Sequence, residues 1–138
     1  LSQIGEIVRT CWLEIPSHFF TVEVEAFVIM PNHLHGILII HPSLRSQGIQ
    51  EKSKEEPIES FGKPVAGSIP TIIRSFKAAV TKRVRDVGLM RGRPVWQKGY
   101  YEHVLRDSRE FVNARDYIIK NPVRWALDEE NPEYQTPP

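Results

Sequence analysis

Cysteine is almost missing: Cys11 stands alone among 138 residues, so no internal disulfide can brace the chain, a pattern that fits a reducing compartment. An excess of charge of one sign is also lacking. Eighteen Lys and Arg face 17 Asp and Glu for a formal net charge of +1, so any nucleic-acid-binding surface must come from local clustering. No apolar run approaches the roughly 18 residues needed to cross a bilayer. Ile37 to Ile40 is too short, and the start lacks the basic-then-apolar layout of a secretory signal. These absences predict a cytoplasmic protein with no membrane partner. Internal repeats are absent as well, and the length fits one domain over residues 1–138. The chain starts at Leu1 instead of Met and enters a helical pattern almost at once, which reads as a trimmed N-terminus.

What is present divides into short periodic segments. Ile4, Ile7, Val8, Cys11 and Trp12 recur at helical spacing, with Ser2 as the cap and Pro16 as the end. Phe20 to Met30 has strand chemistry, with Val22, Val24, Ala26 and Val28 expected on one side and Thr21, Glu23 and Glu25 on the other. Pro31-Asn32 interrupts the run. His33 to Ile40 is a second strand, and so short a break predicts an antiparallel pair. Residues from about 42 to 67 form a polar stretch of roughly 25 residues, longer than connections inside compact domains usually are, and are expected to be a mobile insertion.

Ser68 to Val87 is a second helix, with Ser68 as cap, Pro70 in the first turn and Gly88 at the stop. Its apolar stripe is Ile72, Ile73, Phe76, Ala79, Val80, Val84 and Val87. Val95 to Leu105 is expected as a third strand. Asp107 to Glu110 resembles a capping box that opens a third helix, expected to stop by Lys120 because Pro122 disfavours helical geometry at Asn121. The tail over 129–138 is expected to be loosely structured. The order helix, strand, strand, helix, strand, helix becomes a ferredoxin-like βαββαβ unit with an extra C-terminal helix once a strand is added before the first helix. The expected class is therefore α+β, an antiparallel sheet with helices on one face and a C-terminal helix carrying Tyr117, its first strand missing from the sequence.

Two small constellations could carry chemistry. His33 and His35 alternate on one strand, so both imidazoles project from the same face and can chelate a divalent metal. Two ligands do not complete a site, and a pair of structural histidines has the same spacing. Tyr117 and Asn121 share a helix face at i and i+4. A phenol can be a nucleophile if a cation steadies its phenolate, yet a tyrosine near a helix end commonly only packs. Arg74, Lys77, Lys82 and Arg83 of the second helix, with Lys98, Arg106, Gln97 and His103, could follow a phosphate backbone, while Trp96 could stack on unpaired bases. A solvated helix face and a half-buried aromatic strand would show the same pattern.

The order and wording of these segments together resemble a known family. Ala26-Phe-Val-Ile-Met-Pro-Asn-His33-Leu-His35-Gly-Ile-Leu is similar to the strand–HUH–strand segment of the single-tyrosine HUH transposases, the insertion-sequence-200-like superfamily. Trp96-Gln97-Lys-Gly-Tyr-Tyr-Glu-His103-Val-Leu-Arg106 and Tyr117-Ile-Ile-Lys-Asn121-Pro122-Val resemble the two later blocks of its REP-associated tyrosine transposase branch. The resemblance implies that His33 and His35 are the HUH metal ligands, that Asn121 completes the site where many relatives carry Gln, and that Tyr117 is the nucleophile. It implies Mg²⁺ or Mn²⁺ as cofactor, single-stranded DNA beside an imperfect hairpin as substrate, and a 5′-phosphotyrosine link with a free 3′-OH as product. Whether the protein works as a monomer or a homodimer stays open. A competing class is a non-catalytic hairpin-binding domain on the same fold. A metallohydrolase ranks last, since no Asp or Glu follows the histidines in an HxHxD-like spacing.

Overall fold

A computed structural model describes residues 1–42, 67–90 and 92–125. The expected mobile insertion, apart from its end residues 42 and 67, and the expected loose tail lie outside the described residues. The described elements are α1 (Gln3–Leu13), α2 (Ile15–His18), β1 (Val22–Ile29), β2 (Leu34–Ile40), α3 (Ile69–Asp86) and α4 (Ser108–Trp125). The class is mixed α+β, with β1 and β2 forming a two-stranded antiparallel sheet.

Local chemistry accounts for the element ends. The Ser2 side chain accepts from the Gly5 N–H at 3.1 Å, satisfying one of the unpaired donors at the start of α1. Ser68 does the same for Thr71 at α3. Asp107 accepts from the Glu110 N–H at 2.8 Å while Glu110 reaches back to the Arg106 N–H at 2.8 Å, a reciprocal box that opens α4. Pro16 behaves differently from the expectation. It lies in the first turn of α2 instead of ending α1, because its missing N–H is an orphan there anyway.

The main core lies between α1, α2, α3 and one face of the sheet. Val8, Cys11, Trp12, Ile15 and Val22 meet Ile72, Phe76, Val80 and Val84, the last four spaced one turn apart along α3. Val87, expected in that stripe, caps the helix and is 60% exposed. Trp12 meets Phe76 edge-on with ring centres 5.1 Å apart.

The sheet departs from simple alternation at one residue. Val24 pairs with Leu38 and Ala26 with Ile37, so Glu25 is an extra residue in β1, a β-bulge. Before it, Val22 and Val24 face the α1–α3 core; after it, Phe27 and Ile29 do. Ala26 and Val28 therefore do not share a side with Val22 and Val24, as strict alternation predicts. They turn to the opposite face, against Ile118, Ile119 and Pro122 of α4. Glu25 itself pairs with Arg115 at 3.3 Å, fastening α4 to the bulge.

Two further expectations are corrected. Val95 to Leu105 runs without strand structure. A strand needs a ladder partner, and among the described residues β2 pairs only with β1. Its other edge faces a groove of about 1720 Å³, with residues 95–97 and 99–105 along that groove's lining. Helix α4 does not stop by Lys120 but carries Pro122 inside it and ends at Trp125. Buried Ile118 and Asn121, with ring contacts made by Tyr117 and Trp125, hold the helix across the proline, so packing outweighs the lost backbone hydrogen bond.

Candidate active site

The site forms on the face of the sheet that α4 covers. The hairpin closes with the Met30 N–H donating to the His33 carbonyl at 2.8 Å, which sets His33 just ahead of β2 and in phase with His35. Their rings stand 4.9 Å apart between centres, at an interplanar angle of 72°. On the helix, Tyr117, Asn121 and Trp125 recur every fourth residue and so face one way. The Tyr117 ring meets His35 edge-on at 5.3 Å, and the Trp125 ring meets His33 at 5.9 Å. Asn121 lies between those two contacts along the helix, 6% exposed. Residues far apart in the chain are thus brought to one place.

Burial acts on one imidazole and a short hydrogen bond on the other. Burial, and then the neighbouring His33, push the His35 imidazole below its ordinary value of 6.5. At His33, Nδ1 lies 2.6 Å from Asn32 Oδ1. An amide oxygen only accepts, so Nδ1 is the donor in this contact, which leaves Nε2 as the nitrogen that can offer a lone pair to a metal. Among the described residues no group of three His, Cys, Asp or Glu side chains could hold a metal. A third protein donor to a metal at the histidines would therefore be neutral, and the Asn121 amide has that chemistry. Two imidazoles and an amide oxygen fit a divalent first-row ion.

Gly36, between the histidine pair and the buried Ile37, was not singled out by sequence. A Cβ there would collide with Trp12 Cζ2, so the absence of a side chain lets the tryptophan seat beneath the strand. A glycine inside a strand pattern is the signal that marks such an approach. Asn32, Arg124 and Trp125 were likewise missed, since their contacts depend on how α4 docks.

A protein of Haemophilus influenzae carrying the name "Uncharacterized protein" is 36% identical over 132 residues, covering 94% of this chain and 70% of the relative. The chain belongs to the same family as that protein. A second Haemophilus influenzae protein, named "Putative REP-associated tyrosine transposase", is 24% identical over 121 residues, covering 88% of this chain and 60% of its own length. The family member described above thus spans 70% and 60% of the two relatives it matches. No family model matches the chain, and no solved structure matches it.

The residues considered for DNA contact in this family member divide into two groups. In the first, the side chains already have internal partners. Lys77 donates to the carbonyls of Gln97 at 3.4 Å and Gly99 at 2.6 Å and sits over the Trp96 ring, whose Nε1 donates to the Lys77 carbonyl at 3.1 Å. This exchange ties the segment after Pro94 to α3 and packs Trp96 on Phe76 at 5.4 Å. Lys82 pairs with Asp86 at 2.7 Å, and Arg83 with Glu14 at 2.7 Å. In the second, Gln97 and His103 line the same groove as His33, His35 and Tyr117. His103 lies 3.8 Å from Glu110. Arg74, Lys98 and Arg106 are exposed. No helix among the described residues is long and apolar enough to cross a membrane.

Proposed function

We propose that this chain is the DNA-cleaving domain of a single-tyrosine HUH transposase of the REP-associated kind, on a ferredoxin-like framework. The observation that carries the reading is the edge-on contact of Tyr117 with His35 at 5.3 Å, with His33 beside it. The name of the more distant Haemophilus influenzae relative supports the same reading. His33, His35 and Asn121 would hold Mg²⁺ or Mn²⁺, which supplies a Lewis acid for the charge that develops on a phosphate. Tyr117, 45% exposed, opens to the groove and can meet a strand laid in it. Its phenol oxygen forms a bond to phosphorus as the bond to the 3′ oxygen breaks, giving a 5′-phosphotyrosine and a 3′-OH. The ester retains the energy of the original linkage, so the same residues can rejoin strands. Asn32 holds the Nδ1 side of His33, leaving Nε2 for the metal, and Trp125 packs against the same ring. The substrate would be single-stranded DNA beside a hairpin, handled in the cytoplasm.

The test is a denaturing gel of protein incubated with Mn²⁺ and labelled single-stranded hairpin DNA, with Tyr117→Phe and His33→Ala alongside. A covalent adduct in the parent that both substitutions abolish is the expected result. Hairpin binding with no adduct would instead assign the chain to the non-catalytic DNA-binding class.

A further inference from the structure

The last turn of α4 places a cation over the proposed nucleophile. The Arg124 guanidinium carbon stands 5.5 Å from the centre of the Tyr117 ring, two turns further along the helix. The neighbouring cations are committed elsewhere: Arg115 to Glu25 at 3.3 Å and Lys120 to Asp116 at 3.0 Å. Among the described residues no carboxylate lies within ion-pair distance of Arg124. Contact with a ring face leaves the N–H fork of a guanidinium available, and that fork matches two oxygens of a phosphate.

We propose that Arg124 grips the phosphate that Tyr117 attacks; this rests on the function proposed above. A phosphate poised for attack lies about 3–3.5 Å from the phenol oxygen, within reach of an exposed arginine that already contacts that residue's ring. In the step, the Tyr117 Oη–P bond forms and the P–O3′ bond breaks. The phenol proton passes to solvent, and the leaving 3′ oxygen takes up a proton from solvent. Arg124 stays charged throughout and donates to the non-bridging oxygens, where negative charge grows. A cation near a helix C-terminus also stabilises the helix dipole. That role is indifferent to Lys or Arg and does not require a place over Tyr117, so the two roles separate by experiment.

The probe is a labelled single-stranded DNA library with a fixed imperfect hairpin and randomised flanks, at saturating concentration with Mn²⁺. Adduct formation rate and hairpin affinity are measured for the parent, Arg124→Gln and Arg124→Lys, with thermal midpoints to establish equal folding. The expected result is a loss of about 10²-fold in adduct rate for Arg124→Gln, on the scale of removing one donor to a developing oxyanion. Hairpin affinity changes little, and Arg124→Lys recovers part of the rate. A parental saturating rate in Arg124→Gln, or a loss confined to weaker DNA binding, would overturn the assignment. Failure of the wider reading looks different: no adduct from the parent, or an adduct that persists in Tyr117→Phe, removes the nucleophile and Arg124's role with it.

Discussion

The two faces of the hairpin are built from the same strands yet do different work. On one face Leu34, Leu38, Phe27 and Ile29 join Trp12, Phe76 and the α3 stripe in the main hydrophobic core. On the other, His33 and His35 meet Tyr117 and Trp125 through ring edges beside an open groove. The first face is where apolar area is removed from water and where stability resides. The second keeps polar groups half-exposed and close together, which adds little to stability and leaves them reachable by a substrate. Catalytic and binding groups are expected on the side that a rigid core holds in place, not within that core.

The sharpest way to break this division is a pair of opposed substitutions. Ile72→Ala empties a fully buried position, and an unfolding titration should show a loss of about 2–5 kcal/mol. Tyr117→Phe removes only an exposed hydroxyl, so its denaturation midpoint should match the parent while adduct formation disappears. A large stability loss in the tyrosine variant would show that the two faces are not separable. A smaller effect joins them. Gly36→Ala drives a methyl group into Trp12, whose ring is held by Phe27 and Phe76. Overpacking of this kind should cost about 1–3 kcal/mol and displace the flanking His35. The same variant should thus lower both the urea midpoint and the adduct rate.

The smallest expected effect is a pH dependence that belongs to the polar face. The folded chain holds His35 below its ordinary value of 6.5, so the unfolded chain binds that proton more readily. Stability from this source is present above about pH 6.5 and declines as pH falls through the depressed folded value. Urea midpoints for the parent and His35→Gln, compared between about pH 5 and pH 7.5, should show a shallower acid decline in the variant. Equal slopes would remove His35 as the cause.

The dry face was the more legible from sequence. Ile72, Phe76, Val80 and Val84 announce a buried stripe by spacing alone, and Ser2, Ser68 and the Asp107–Glu110 pair mark helix starts through side-chain chemistry that acts within one turn. The alternation of His33 and His35 also placed two imidazoles on one face. What could not be read depends on contacts between distant segments. The bulge at Glu25 changes no local propensity, so Ala26 and Val28 were expected on the wrong side. The extension of α4 past Pro122 depends on docking against the sheet, and the segment from Val95 to Leu105 has strand-like residues without a neighbour to bond. Lys77 and Trp96 show the same limit: a cation and an aromatic ring are equally compatible with a DNA surface and with a mutual clasp, and only the tertiary contacts reveal that clasp.

The extra residue in β1 also sets what kinds of inherited change the chain can absorb. At the bulge a strand is two half-strands in opposite phase, and Glu25 is the spacer that keeps them so. Exchanging its side chain removes one partly exposed ion pair with Arg115, a contribution of about 0.2–1 kcal/mol. Removing the residue altogether would make Val24 and Ala26 neighbours opposite Leu38 and Ile37, a regular ladder in which Phe27 and Ile29 still face Trp12 and Ala26 and Val28 still face α4. Position 25 is therefore tolerant of both spelling and length: a point mutation there trims an edge contact, and a single-codon deletion removes the bulge while both faces of the hairpin keep their residues.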